Sequence, residues 1–200
     1  MSRIFSIGHS NHDWEHFLAL LRAHGATALV DVRSQPYSRR FPHFSRAALQ
    51  PALARAGIAY VFLGLELGAR RADPSCYVDG QVDFECVAAT ADFLRGLDRL
   101  RKGAKEHCIV MMCAEREPLD CHRTVLVARH LHAVGLEVAH ILADGSLERH
   151  ADTERRLLSM TGLPEHDMFR DRAETLAEAY RQRGRRIAFR MDDDAEGEEA

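Results

Sequence analysis

The chain has 200 residues, 46% of them hydrophobic, which is enough apolar material for one buried core of ordinary domain size. No stretch approaches the roughly 18 consecutive apolar residues of a membrane span, and Met1-Ser2-Arg3 runs into a short strand-like segment rather than a signal-peptide apolar region, so a cytoplasmic protein is expected. Five cysteines without dense spacing exclude a disulfide framework, and the net charge of −3 hides an asymmetry: six carboxylates (Asp192, Asp193, Asp194, Glu196, Glu198, Glu199) crowd the last nine positions, leaving the body net positive. Such a body tolerates anionic ligands without announcing nucleic acid.

In chain order, Ile4 to Ile7 reads as a buried strand. Gly8-His9-Ser10-Asn11 makes a turn with cap-type residues, and Trp14, Phe17, Leu18 and Leu21 recur at helical spacing up to Gly25. Ala28 to Val32 is the second strand. A basic, proline-punctuated loop follows, with Arg33, Arg39, Arg40 and Arg46 around Pro36, Tyr37, Phe41 and Pro42. Ser45 is a candidate cap for a helix that Pro51 would kink or start late. Ile58 to Leu63 is the third strand, and the glycine-punctuated Gly64 to Arg71 reads as a second functional loop. A helical stripe spans Phe84 to Leu100. Cys108 to Cys113 is an unbroken apolar run, as in a central parallel strand covered on both faces. A helix from about Asp120 to Val134 and a strand from Glu137 to Leu142 complete the alternation, and Ala173 to Gln182 forms one further helix.

Five strands alternating with helices predict an α/β fold of Rossmann-like or flavodoxin-like class, with a mostly parallel sheet and helices on both faces. The expected organisation is a single domain over 1–190, with a helical extension from 143 to 190, and a disordered acidic tail over 191–200.

On such a sheet, ligands bind at the carboxyl ends of the strands. The residues leaving the predicted strands are His9 and Ser10, Asp31 and Arg33, Glu66, Cys113 and Glu115, with His140 inside the fifth. The densest group is Cys113-Ala114-Glu115 followed by Asp120-Cys121-His122-Arg123. With Asp120 as N-cap, Cys121 lies in a first helical turn, where free N–H groups, His122 and Arg123 lower a thiol pKa and welcome an anion. Plainer explanations stand beside this. Both cysteines can be packed apolar residues or a disulfide pair, Ser10 can be a helix cap, and Asp31 can be an ion-pair partner of Arg33. Cys-x7-Cys-His is not a common zinc spacing, so no metal is assigned. Cys76, Cys86 and Cys108 carry no partner pattern.

Ile7-Gly8-His9-Ser10-Asn11, Leu29 to Arg33 with Pro36 and Ser38, Glu66-Leu67-Gly68 with Arg70-Arg71, and the Cys-Ala-Glu to Cys-His-Arg pair together resemble the bacterial family catalogued as domain of unknown function 488. The resemblance runs in order from about residue 3 to residue 142. It implies an α/β fold with a polar crevice containing these motifs and brings no established reaction. Ala69 stands where the family commonly has a second glycine after Glu-Leu-Gly.

The leading expectation is a cofactor-independent enzyme with a reactive thiol, thiol-based transfer or hydrolysis, acting on an anionic, nucleotide-like or nucleic-acid-derived substrate. Cys113 or Cys121 serves as the thiol, His122 or His9 exchanges protons, and Asp31 or Glu115 is base or orienter. Ser10, Arg33, Arg39, Glu66, Arg70 and Arg123 bind substrate. The rivals are a metal-dependent hydrolase with Cys and His ligands and a non-catalytic nucleotide or nucleic-acid binding module.

Overall fold

The computed structural model describes residues 3–166 and 170–191. Its main sheet has six strands: β1 (Arg3–Gly8), β2 (Ala28–Asp31), β3 (Ala59–Phe62), β6 (Ile109–Cys113), β7 (Glu137–Ile141) and β8 (Leu147–Arg149), in the order β3-β2-β6-β1-β7-β8. The first five are parallel, and β8 adds antiparallel to β7. A two-stranded hairpin, β4 (Tyr77–Val78) and β5 (Gln81–Val82), lies outside this sheet. The fold is therefore α/β with a mainly parallel sheet, as the alternation predicts. Neither β8 nor the hairpin was expected, because two- and three-residue strands carry no periodicity to read.

Alternation along each strand divides the core. Ile109, Met111 and Cys113 of β6 join Ile4, Val30 and Val138 on one face, with residues from α5 (Ala91–Gly103), α7 (His150–Thr161) and α8 (Arg172–Ile187). Val110 and Met112 join Phe5, Ile7 and Leu29 on the other, against α1 (Trp14–Ala23) and α2 (Arg46–Arg55). All five β6 side chains are buried, which is why the run is apolar throughout. Each fully buried Ile, Leu or Phe side chain contributes about 1.5–3 kcal/mol.

Several helix boundaries depart from expectation for identifiable reasons. Asp13, not Ser10, caps α1, its carboxylate accepting from the His16 N–H at 2.7 Å. Pro51 sits inside α2, and Ser45, although it precedes the helix, turns its hydroxyl to the Ser38 carbonyl instead of capping. The Phe84 to Leu100 stripe is two helices, α4 (Phe84–Ala89) and α5, split at Thr90, whose hydroxyl caps the Phe93 N–H. The Gly64 to Arg71 loop begins with a short helix, α3 (Gly64–Leu67). The final helix runs to Ile187. Of the acidic tail, 192–200 lies outside the described residues. Among those described, no helix is long and apolar enough to cross a membrane.

Candidate functional site at the carboxyl edge of the sheet

Placing β6 between β1 and β2 brings three strand ends together. The His9 and Ser10 N–H groups donate to the Cys113 and Ala114 carbonyls at 2.8 Å each, and Val32 N–H donates to the Met112 carbonyl. The junction leaves no room for a side chain at Gly8, where a Cβ would stand 1.8 Å from the Glu115 carbonyl oxygen. The glycine of the Gly-His-Ser motif is thus explained by close backbone approach.

On one side of this edge, Cys113, Glu115, Cys121 and His122 converge. The Glu115 Oε2 accepts from both thiols, at 3.1 Å from Cys113 Sγ and 2.9 Å from Cys121 Sγ. His122 Nε2 lies 2.9 Å from the Val32 carbonyl, an acceptor only, so Nε2 carries a proton and Nδ1 faces the sulfurs, at 3.6 Å from Cys113 and 3.9 Å from Cys121. The two Sγ atoms and a ring nitrogen of His122 lie within 4.8 Å of one another.

Residues 120–123 differ from the expected helix start. Pro118–Asp120 is a 3-10 turn, Cys121 is extended, and a π-helical stretch, Arg123–Ala128, leads into α6 (Arg129–Ala133). Asp120 is therefore not the N-cap, and it pairs instead with Arg183. Cys121 precedes the helix, its carbonyl accepting from Thr124 and Val125 while its sulfur accepts the Arg123 N–H at 3.5 Å. Arg123 is fully buried and its guanidinium donates to the Glu115 and Arg116 carbonyls at 2.6 and 3.2 Å, which holds the loop over the cysteines. It forms no ion pair with a described carboxylate, and its Nε is without a partner among the described residues. A buried cation so placed favours anionic sulfur nearby.

Electrostatics divide the two thiols. Burial pushes Cys113 up, and its hydrogen bond with Cys121 and the neighbouring negative charges add to this. Burial would raise Cys121 as well, but the hydrogen bond from Cys113, the Arg123 charge and His122 outweigh it, so this thiol is lowered. Burial pulls His122 down, but Cys121 and Glu115 outweigh it and the ring is raised; burial and the Cys121 sulfur raise Glu115.

The opposite side of the edge is occupied by a saturated group. Asp31 is fully buried and takes two bonds from the Arg33 guanidinium, at 2.9 and 2.7 Å, with Tyr60 OH at 2.8 Å. The ion pair that could explain Asp31 structurally is therefore formed. Arg33 also reaches the Phe44 carbonyl and, at 3.3 Å, His9 Nε2. His9 stacks on Phe44, donates from Nδ1 to the Ser10 carbonyl, and is lowered to about 4 by burial and then by Arg33, so it is neutral at pH 7.

Between the two groups opens a cleft of about 1190 Å³ lined, of the expected set, by His9, Ser10, Arg33, Arg70, Cys113, Glu115 and His122. Arg39 and Arg123 do not line it. Glu66 is turned away, paired with Arg99. Sequence reasoning missed Tyr60, the Val32 carbonyl and the far wall, Arg185 to Arg190, which closes the cleft from the end of α8. It also missed that Cys76 and Cys86 meet, with sulfurs 3.5 Å apart.

The family model described as domain of unknown function DUF488 matches residues 13–130, more than half of the chain. The chain belongs to this family. The match includes the Cys-Ala-Glu and Cys-His-Arg motifs and Asp31-Val32-Arg33, and it stops short of the Gly-His-Ser turn at one end and α8 at the other. No curated protein and no solved structure matches the chain.

Proposed function

We propose that this DUF488 protein is a metal-dependent enzyme acting on an anionic substrate, with Cys113, Cys121 and His122 as ligands of a thiophilic divalent cation such as zinc. The observation that carries this reading is the convergence of two sulfurs and an imidazole nitrogen within 4.8 Å, with the other ring nitrogen anchored on a backbone carbonyl. A ligating histidine is commonly fixed by its second N–H in this way, and two thiolates with one imidazole suit zinc. Three protein ligands leave a fourth position, as catalytic zinc sites do. Cys113, Glu115 and His122 all line the cleft, so a cation held by these ligands would be reachable from it. A cation held there would supply Lewis-acid chemistry, and holding it would need both sulfurs as thiolates, which would release the Glu115 oxygen that now accepts from them. Glu115 then has a free carboxylate oxygen at the cleft to hold a proton. Arg123 supports the loop, and the Asp31–Arg33–His9 group positions the opposite wall.

This reading displaces the metal-free thiol enzyme because both cysteines are buried, Cys113 at 3% and Cys121 at 1% exposure, which suits ligands better than nucleophiles. Elemental analysis of untagged protein tests it, together with cobalt(II) substitution read through the thiolate-to-metal charge-transfer absorption. One equivalent of metal and an absorption band lost in Cys113→Ser and in Cys121→Ser are expected. A protein that takes up no stoichiometric zinc or cobalt while Cys121 is alkylated at pH 6 would overturn it in favour of the thiol.

A further inference from the structure

The cleft is built for something longer than a single small anion. Its volume, about 1190 Å³, exceeds the roughly 300–1,000 Å³ of ordinary small-molecule sites. Cations line it from three directions: Arg40 and Arg70 from the loops after β2 and β3, Arg116 from the loop after β6, and Arg185, Arg186 and Arg190 from the C-terminal segment. Arg116, Arg185 and Arg186 form no ion pair with a described carboxylate, whereas Asp120, one of the two acidic residues on the lining, is already held by Arg183. The positive charge is thus spread along the walls. It is not gathered at one phosphate cradle, and the sequence has no glycine-rich phosphate loop.

Aromatic rings interleave with the arginines. Tyr37, on the cleft, exposes 68% of its surface, and Phe41 also belongs to the lining. The face of Phe189 is occupied, with the Arg70 guanidinium 4.0 Å from its centroid, so that pair forms a fixed wall. A positive groove with an exposed aromatic platform is the chemistry that tracks a phosphodiester backbone while stacking an unpaired base. Duplex readers push a helix or ribbon into a groove, but this surface is recessed.

We propose that the cleft is a groove for single-stranded nucleic acid, whose backbone lies along the arginines and one of whose bases stacks on Tyr37, delivering a phosphodiester or base to the Cys113–Cys121–His122 cluster. This rests on the reading of the cleft as the substrate entrance, and makes the C-terminal segment beyond the family match a working wall of the site.

The test is fluorescence anisotropy of the full chain with fluorescein-labelled dT12 and rU12, as isolated and after chelation, across salt concentration. Inorganic polyphosphate, AMP and a duplex serve as competitors. Binding is expected for one or both oligomers, showing which sugar is accepted, with a log–log salt slope of about −2 to −3 for three to four phosphates at roughly −0.7 each. The Arg185→Gln/Arg186→Gln double variant should flatten that slope, and Tyr37→Ala should weaken binding about tenfold without changing it. Absence of binding at low salt overturns the proposal. So does equal competition by polyphosphate with no effect of Tyr37→Ala, preference for the duplex, or AMP displacing the oligomers at their own affinity. Because chelated protein is included, failure here leaves the metal content untouched, and a metal-free protein leaves this binding measurable.

Discussion

Two buried polar networks containing histidine lie on the same face of the sheet and are organised in opposite ways. In the cysteine cluster, donors and acceptors converge on one point beside the cleft. In the other, Ser6 O–H donates to His140 Nδ1 at 2.7 Å, His140 Nε2–H to His150 Nδ1 at 3.0 Å, His150 Nε2–H to Tyr180 at 2.9 Å, and Tyr180 O–H to Glu154 at 3.2 Å. Every link is satisfied with both rings neutral and the donors running one way. Such a chain specifies packing between β1, β7, α7 and α8 and has no vacancy for a ligand. Histidine content alone therefore does not mark a site; convergence toward an accessible cavity does.

The comparison breaks most sharply if the cluster turns out to be as self-sufficient as the chain. With metal bound at about 1,000 times its dissociation constant, the folded state gains about 4 kcal/mol. Chelation should therefore lower the unfolding free energy by that order, and Cys121→Ser should abolish the difference between chelated and metal-loaded protein. Denaturant unfolding with and without zinc reads both; identical curves would mean that the cluster, like the histidine chain, is complete by itself.

Acid should expose the chain in turn. His150 is lowered to about 3, by burial and then by the charge of His132, and His140 moves in the same direction, also chiefly through burial. Between the unfolded value of about 6.5 and the folded one, the unfolded chain binds the proton more readily, so stability rises with pH there. The contribution is complete above about pH 6.5 and is lost as pH falls, at about 1.4 kcal/mol per unit, or about 2 kcal/mol by pH 5 for His150 alone. Unfolding measured from pH 7 to 5 should show a shallower slope in His150→Gln than in the parent; equal slopes would mean that the chain does not hold its rings neutral.

Much of the site was legible because the carboxyl-edge rule needs only strand order along the chain. His9, Ser10, Arg33, Cys113 and Glu115 all reach the cleft. The rule does not say which strand ends are neighbours. That β6 lies between β1 and β2 depends on side-chain packing across the sheet, and it alone decides that Val32 can anchor His122. Local pattern also misplaced Cys121 in a helix, since Asp120 reads as a cap until Arg183, 63 residues away, claims its carboxylate. The Asp31–Arg33 ion pair, two residues apart, was legible from the sequence, and Arg33 lines the cleft while making it. His122 reaches the sulfurs through a turn and not along a regular helix, so Cys-x7-Cys-His offered no familiar ligand spacing to read.

The smallest effect separates the two walls of the cleft. Tyr60 OH is one of four donors on Asp31, beside the Arg33 backbone N–H and two guanidinium nitrogens, and removing it in Tyr60→Phe leaves the bidentate Arg33 pair in place. The loss should be about 1.5 kcal/mol of stability, the low end for one hydrogen bond to a charged group, since the Arg33 pair remains. Metal affinity should not change, because Tyr60 makes no hydrogen bond to the cluster; the group meets it through the backbone of Val32 and through the charge of Arg33 near Cys113. A Tyr60→Phe protein that binds zinc tenfold more weakly would show that the two walls respond as one unit, with the Asp31–Arg33 group positioning His122 through that carbonyl.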